Sequence, residues 1–134
     1  MQIIPPPPLF NKGGSLRKEK TIMEDCLFCK IAAGIIPSSK VYEDEKVLAF
    51  NDIDPQAPTH FLVIPKEHIT GAGVITEENS GIVAYIFEVI AKIAKEQGIE
   101  SYRVVTNYGA DAGQTVPHLH FHVLAGRELG WPPG

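Results

Sequence analysis

Hydrophobic side chains recur along this chain in two periods, and the change of period marks the change of element. Ile82, Tyr85, Ile86, Val89, Ile90, Ile93 and Ala94 fall three and four residues apart, which puts them on one face of an α-helix. Thr76 followed by Glu77 and Glu78 predicts the helix start, because a hydroxyl caps free N–H groups and acidic residues suit the positive end of the dipole. Lys95 in the last turn and Gly98 beyond it predict the end. A plain core-covering helix accounts for the whole stretch. Leu27 to Ala33 is short, apolar and closed by Gly34, which predicts a brief first helix.

The other segments read as strands. Ser39-Lys40-Val41-Tyr42 and Val47-Leu48-Ala49-Phe50 flank the turn-like Glu43-Asp44-Glu45-Lys46 and predict a hairpin. Pro55 to Thr59 should be loop, and His60-Phe61-Leu62-Val63-Ile64 a buried strand halted by Pro65. Tyr102 to Asn107 and Pro117 to Leu124 are the last two strands, joined by the loop Tyr108 to Val116. Short connections with one long intervening helix predict an α+β domain: an antiparallel sheet of about five strands, one long helix and one short N-terminal helix.

Charge and composition narrow the setting. The 134 residues suit a single core and carry a net charge of −4, which argues against a nucleic-acid surface. Residues 1–22 differ from the rest, with Pro5-Pro6-Pro7-Pro8, Gly13-Gly14 and a net +3, which leaves −7 for residues 23–134. This segment reads as a disordered or extended Pro-rich arm, with a PxxP docking arm as the alternative. It lacks the pattern of a secretory signal, and Met23 is the expected natural start. The longest apolar stretch, Gly81 to Ala94, is interrupted by Glu88 and Lys92, so no membrane span is expected. Two cysteines, Cys26 and Cys29, cannot build a disulfide framework, and a reducing cytoplasm is the expected location.

Candidate chemistry concentrates in His118-Leu119-His120-Phe121-His122-Val123-Leu124. The two-residue repeat of a strand puts all three histidines on one face, with Leu119, Phe121 and Val123 on the core side. Imidazole, with an unperturbed pKa of about 6.5, is largely neutral at physiological pH and can present one nitrogen as a nucleophile. A lone exposed histidine would be polar decoration, but three in alternation, from a chain with five in all, point to a site. A three-histidine metal site remains the alternative. Gly109, Ala110, Ala112 and Gly113 in the preceding loop permit close backbone approach to a ligand, and Gln114 and Thr115 add an amide and a hydroxyl.

These residues resemble the histidine-triad (HIT) superfamily, and specifically its Hint branch of nucleoside phosphoramidases. The resemblance runs through the HxHxHxx segment just quoted, Asp52 to Lys66, Asn107, Asp111, Gly113-Gln114-Thr115 and the closing Trp131-Pro132-Pro133-Gly134. It covers residues 26–134 and makes residues 23–134 a HIT domain. It implies that His120 is the nucleophile, forming a nucleotidyl-histidine intermediate with no catalytic metal. His122 would contact the phosphate and, with His60, orient groups and move protons. Asp52 would hold the ribose hydroxyls, with Ile53 and Phe28 beside the base. Asn107, Gly113, Gln114 and Thr115 are similar to the phosphate contacts, Thr115 standing where many Hint proteins carry serine and keeping the hydroxyl. The substrate implied is a nucleoside 5′-phosphoramidate or related purine nucleotide conjugate, with a nucleoside monophosphate such as AMP as product. The resemblance also implies a homodimer in which Trp131 and its prolines reach the partner's site.

Bacterial-type members similar to this chain hold a structural zinc, which implies a Cys2His2 set of Cys26, Cys29, His68 and His118. A redox CxxC and two packed thiols are the alternatives. Among functions, a dinucleoside polyphosphate hydrolase or nucleotidyl transferase on the same fold is the nearest rival. A remover of adenylate from nucleic acid ranks below it on charge, and a non-catalytic nucleotide-binding scaffold is the rival of a different class.

Overall fold

The computed structural model describes residues 25–134; the Pro-rich arm and Met23 lie outside the described residues. The elements are α1 (Leu27–Ala32), β1 (Lys40–Glu43), β2 (Val47–Asn51), β3 (Thr59–Pro65), α2 (Gly81–Glu96), β4 (Arg103–Val105) and β5 (Phe121–Ala125), with single 3-10 turns at Ala72–Val74 and Ala110–Ala112. The five strands form one sheet in the order β1-β2-β3-β5-β4, and every neighbouring pair is antiparallel. This is the predicted α+β fold with one long and one short helix.

Alternation along the central strands sorts side chains between the two faces of the sheet. Val47, Ala49, Phe61, Val63, Phe121 and Val123 face α2, where Ile86, Val89, Ile90 and Ile93 close the larger core. Leu48, Phe50, Leu62 and Ile64 face the other way and pack on Cys26, Phe28, Cys29 and Ile31 of the α1 region. The second face is therefore only partly covered, and the site opens where its apolar cover stops. Helix α2 ends as expected: Gly98 has φ of +72°, Gly98 N–H donates to the Lys95 carbonyl at 3.2 Å, and Ile99 N–H to the Ala94 carbonyl at 2.8 Å. Together these make a Schellman cap.

Three boundaries differ from the sequence expectation by more than one residue, each for a local hydrogen-bonding reason. Helix α2 begins at Gly81 rather than behind Thr76. The Asn79 side chain accepts from Thr76 N–H at 2.6 Å and donates to the Val74 carbonyl at 3.2 Å, holding residues 77–80 as a separate turn. Strand β4 is three residues long, because Thr106 turns its hydroxyl onto the His120 carbonyl at 2.7 Å. Strand β5 starts at Phe121, not Pro117. Pro117 has no N–H, His118 N–H goes to the Val116 carbonyl at 2.8 Å and Leu119 N–H to the Ile69 carbonyl at 2.6 Å, so the ladder cannot begin earlier.

Candidate active site

Although only His122 lies within β5, side-chain alternation continues back through the irregular residues. Leu119 is buried in the α2 core, while the His120 ring stands edge-on to His122 at 5.2 Å and to Phe28 at 4.9 Å between centroids. His118 is fully buried on the same side, 6.0 Å from Phe28. A cleft of about 440 Å³ opens beside these rings, lined by Phe28, Asp52, Ile53, Asn107, Gly113, Thr115, His120 and His122 together with apolar residues of α1 and the sheet.

Hydrogen-bond complementarity fixes the tautomers. His120 Nδ1–H donates to the His118 carbonyl at 2.6 Å, so the singly protonated ring has a free lone pair on Nε2. The backbone N–H of Gln56 donates to His60 Nδ1 at 3.0 Å. The proton of His60 is then on Nε2, which donates to His122 Nδ1 at 2.9 Å, and His122 in turn carries its own proton on Nε2. Asp52 Oδ2 lies 3.4 Å from His60 Nε2 and 3.9 Å from His122 Nδ1, and Asp52 Oδ1 is held by the Asp54 N–H at 2.8 Å. The donor atoms of Asp52, His60 and His122 are close enough to share a metal ion. With a proton already on His60 Nε2, however, the trio is a hydrogen-bond relay and not a ligand set.

Burial is the main influence on the ring charges. It pushes His122 down from the ordinary histidine value to about 4, helped by the neighbouring His120 and His60 and opposed by Asp52. His120 is lowered in the same way, with burial first; its bond to the His118 carbonyl works against the shift. The site thus presents neutral imidazoles at neutral pH.

The sequence expectation and the structure differ at one expected phosphate contact, Gln114. His60 stands behind His122 rather than in the cleft, within reach to orient that ring. Gln114 does not line the cleft either: its backbone N–H donates to the Gly109 carbonyl at 3.1 Å, its Oε1 accepts from Gly109 N–H at 2.9 Å, and its Nε2 donates to the Thr70 and Val116 carbonyls at 2.9 and 3.1 Å. Every N–H it could offer a phosphate is engaged in the loop. Sequence reasoning also missed Leu27, Ile31, Phe50, Leu62 and Val116 in the cleft wall. Only the i, i+4 spacing of Leu27 and Ile31 gave a signal for them.

A second cluster lies directly behind the first. Cys26 Sγ is 3.3 Å and Cys29 Sγ 3.6 Å from His118 Nδ1, and Cys29 Sγ is 3.2 Å from His68 Nδ1. All four donor atoms lie within 4.8 Å of one another. His118 Nε2–H donates to the Pro65 carbonyl at 2.9 Å, which leaves Nδ1 free toward the thiols, as a metal-binding histidine requires. Hydrogen bonding from Cys29 first, and from His118 after it, outweighs burial and holds the Cys26 thiol well below the ordinary thiol value. The donor set, spacing and burial fit a closed structural zinc site. The first histidine of the motif thus serves this cluster, and the other two serve the cleft.

Comparison with known proteins agrees with this geometry. The HIT domain family matches residues 33–129. The chain is 50% identical over 111 residues to a 14 kDa zinc-binding protein of Zea mays, covering 81% of this chain and 87% of the maize protein. A HIT family hydrolase from Legionella pneumophila Philadelphia 1 superposes with a TM-score of 0.80 at 47% identity, covering 82% of this chain and 100% of that one. A histidine triad protein from Clostridium difficile gives 0.77 at 55% identity, covering 79% and 94%.

Proposed function

Because the chain belongs to the HIT family, we propose that it is a hydrolase cleaving nucleoside 5′-phosphoramidates or related nucleotide conjugates at the α-phosphorus. The observation that carries this reading is the pair of neutral rings in the cleft: His120 with a free Nε2 beside His122 with a proton on Nε2. His120 Nε2 attacks phosphorus, the bond to the leaving amine breaks, and the amine nitrogen takes a proton that the Thr115 hydroxyl at the cleft wall passes on as it receives one from solvent. Water then attacks the nucleotidyl-histidine, and a nucleoside monophosphate leaves, dividing one difficult displacement into two. His122 donates to a non-bridging oxygen while His60 holds its tautomer. Gly113 and Asn107 face the same phosphate, where N–H donors would stabilise the charge of the transition state. Asp52 receives the ribose hydroxyls, and the purine lies between buried Phe28 and fully exposed Ile53.

Cys26, Cys29, His68 and His118 would hold a zinc ion, in line with the name of the maize relative. Four protein donors would leave such an ion no open position for substrate, so that it would supply rigidity behind the triad. The site needs no metal for the displacement itself. No helix among the described residues is long and apolar enough to cross a membrane, and the cytoplasm suits two cysteines that form no disulfide. The second copy in a homodimer would cover the exposed Tyr102 beside edge strand β4, and Trp131 would reach across to the partner.

The test is a panel of adenosine and guanosine phosphoramidates and dinucleotides, with rapid quenching and mass spectrometry. The expected result is release of a monophosphate and a nucleotidyl adduct on His120. An adduct on another residue, or preferential cleavage of dinucleotides, overturns the assignment.

A further inference from the structure

The loop that carries Asn107, Gly113 and Thr115 into the cleft has no strand or helix longer than one turn to hold it, yet its backbone must stay fixed if it is to receive charge. Its support comes from behind. The carboxamide of Gln114 bridges three backbone groups on two segments: it accepts from Gly109 N–H at 2.9 Å and donates to the Val116 carbonyl at 3.1 Å and the Thr70 carbonyl at 2.9 Å. Tyr108 adds an apolar contact beside it. The backbone of Gly71 and Gly73 passes so close that a Cβ on Gly73 would overlap the Tyr108 ring, and a Cβ on Gly71 would stand 2.7 Å from Tyr108 Cδ1 and 3.1 Å from Gln114 Nε2. The two glycines are the seat of the loop: their missing side chains let the ring and the carboxamide lie against the Thr70–Val74 segment.

That segment is itself anchored near the triad. Ile69, next to Thr70, accepts through its carbonyl from Leu119 N–H at 2.6 Å, and Leu119 separates His118 from His120. The loop and the nucleophile are therefore fastened to consecutive residues of one strip of chain.

We infer that Gln114 is a positioning residue, whose side chain sets the distance between the phosphate-facing loop and His120 without touching the substrate. The inference rests on the proposed nucleotidyl transfer for its kinetic consequence, but the clamp is made of protein groups alone and can be tested without substrate. All three bonds of the carboxamide are directional. Gln114→Glu keeps size and shape and the acceptor toward Gly109, but it replaces two donors with an oxygen facing the Thr70 and Val116 carbonyls. A group that only fills space would be replaced well by Glu; a clamp would not.

The experiment compares wild type with Gln114→Ala, Gln114→Glu and Gly71→Ala, as full chains. Gly71 lies at φ of 169°, extended backbone that alanine adopts freely, so this variant disturbs the seat from the side away from the cleft. Amide exchange without ligand is expected to quicken about tenfold or more at Gly109 and across residues 112–116 in all three variants, as loss of net hydrogen bonds implies. Amides of β3 and β5 should be unchanged. With adenosine 5′-phosphoramidate, KM should stay within about twofold while kcat falls about a hundredfold, the scale of an ångström of misplacement. Adenosine affinity should be unaltered. Wild-type loop protection in Gln114→Glu overturns the inference, as does a fall in kcat with loop exchange unchanged, which would mean direct contact with substrate. If wild type fails to cleave the phosphoramidate, the functional reading fails, and the exchange data still decide the clamp.

Discussion

The low pKa of His122 makes a prediction that reaches from burial to stability. In the unfolded chain this ring titrates near 6.5, whereas burial, with His120 and His60 beside it, holds it down at about 4 in the fold. The native state therefore refuses a proton that the unfolded chain accepts. Its contribution to stability is complete above pH 6.5, is lost as pH falls toward 4, and is constant below that. At about 1.36 kcal/mol for each pH unit, the full loss is roughly 3 kcal/mol. The side chain is 23% exposed, and solvent screening trims this to roughly 2–3 kcal/mol. The perturbation that isolates it is His122→Gln, which still accepts from His60 Nε2 but cannot titrate. Urea unfolding of both proteins at steps between pH 7.5 and 4 should show wild type losing about 2–3 kcal/mol more than the variant across that range, with the NMR shift of the His122 ring moving only near the acid end. Parallel stability curves, or a ring that titrates at 6.5, would refute the reasoning. The same value implies that only about a tenth of His122 is protonated at pH 5, so its donor geometry should persist well into the acid range.

Other outcomes follow from the same structure. His120→Ala should retain its fold and lose turnover by several orders of magnitude, as removal of a covalent nucleophile does; single-turnover kinetics beside a circular dichroism melt will check both halves. Protein purified without chelator should contain one zinc per chain by elemental analysis, and Cys29→Ser should abolish it and lower the melting temperature. Asp44 gives a stability prediction in a separate pH window. Burial alone would raise its pKa, but bonds from the Tyr85 hydroxyl, Val47 N–H, Lys46 N–H and the Tyr42 hydroxyl hold it at about 2. The stabilisation is present above the ordinary aspartate value of 3.8 and should vanish as pH falls from there to about 2. Asp44→Ala should cost about 2 kcal/mol at pH 7, read by denaturant unfolding.

Much of this protein was legible in its residue order. The period of Ile86, Val89, Ile90 and Ile93 could only be a helix lying on a core, because those positions share a face at 3.6 residues per turn. The alternation of His118, Leu119, His120, Phe121 and His122 by itself separates polar from apolar side chains, since an extended backbone sends successive residues to opposite faces. It also survived the loss of the strand itself at residues 117–120.

Tertiary structure decided which partner each of those groups met. No spacing rule places His60 Nε2 against His122, the Pro65 carbonyl against His118 or the Thr70 carbonyl against Gln114, because these contacts join segments far apart in the chain. Yet such contacts settle which nitrogen of His118 and of His122 holds a proton, and whether an amide faces a ligand or the wall behind it. Local backbone geometry is encoded residue by residue. Protonation state and side-chain role are set by whatever donor, acceptor or apolar surface the fold brings alongside, and that is a property of the assembled core.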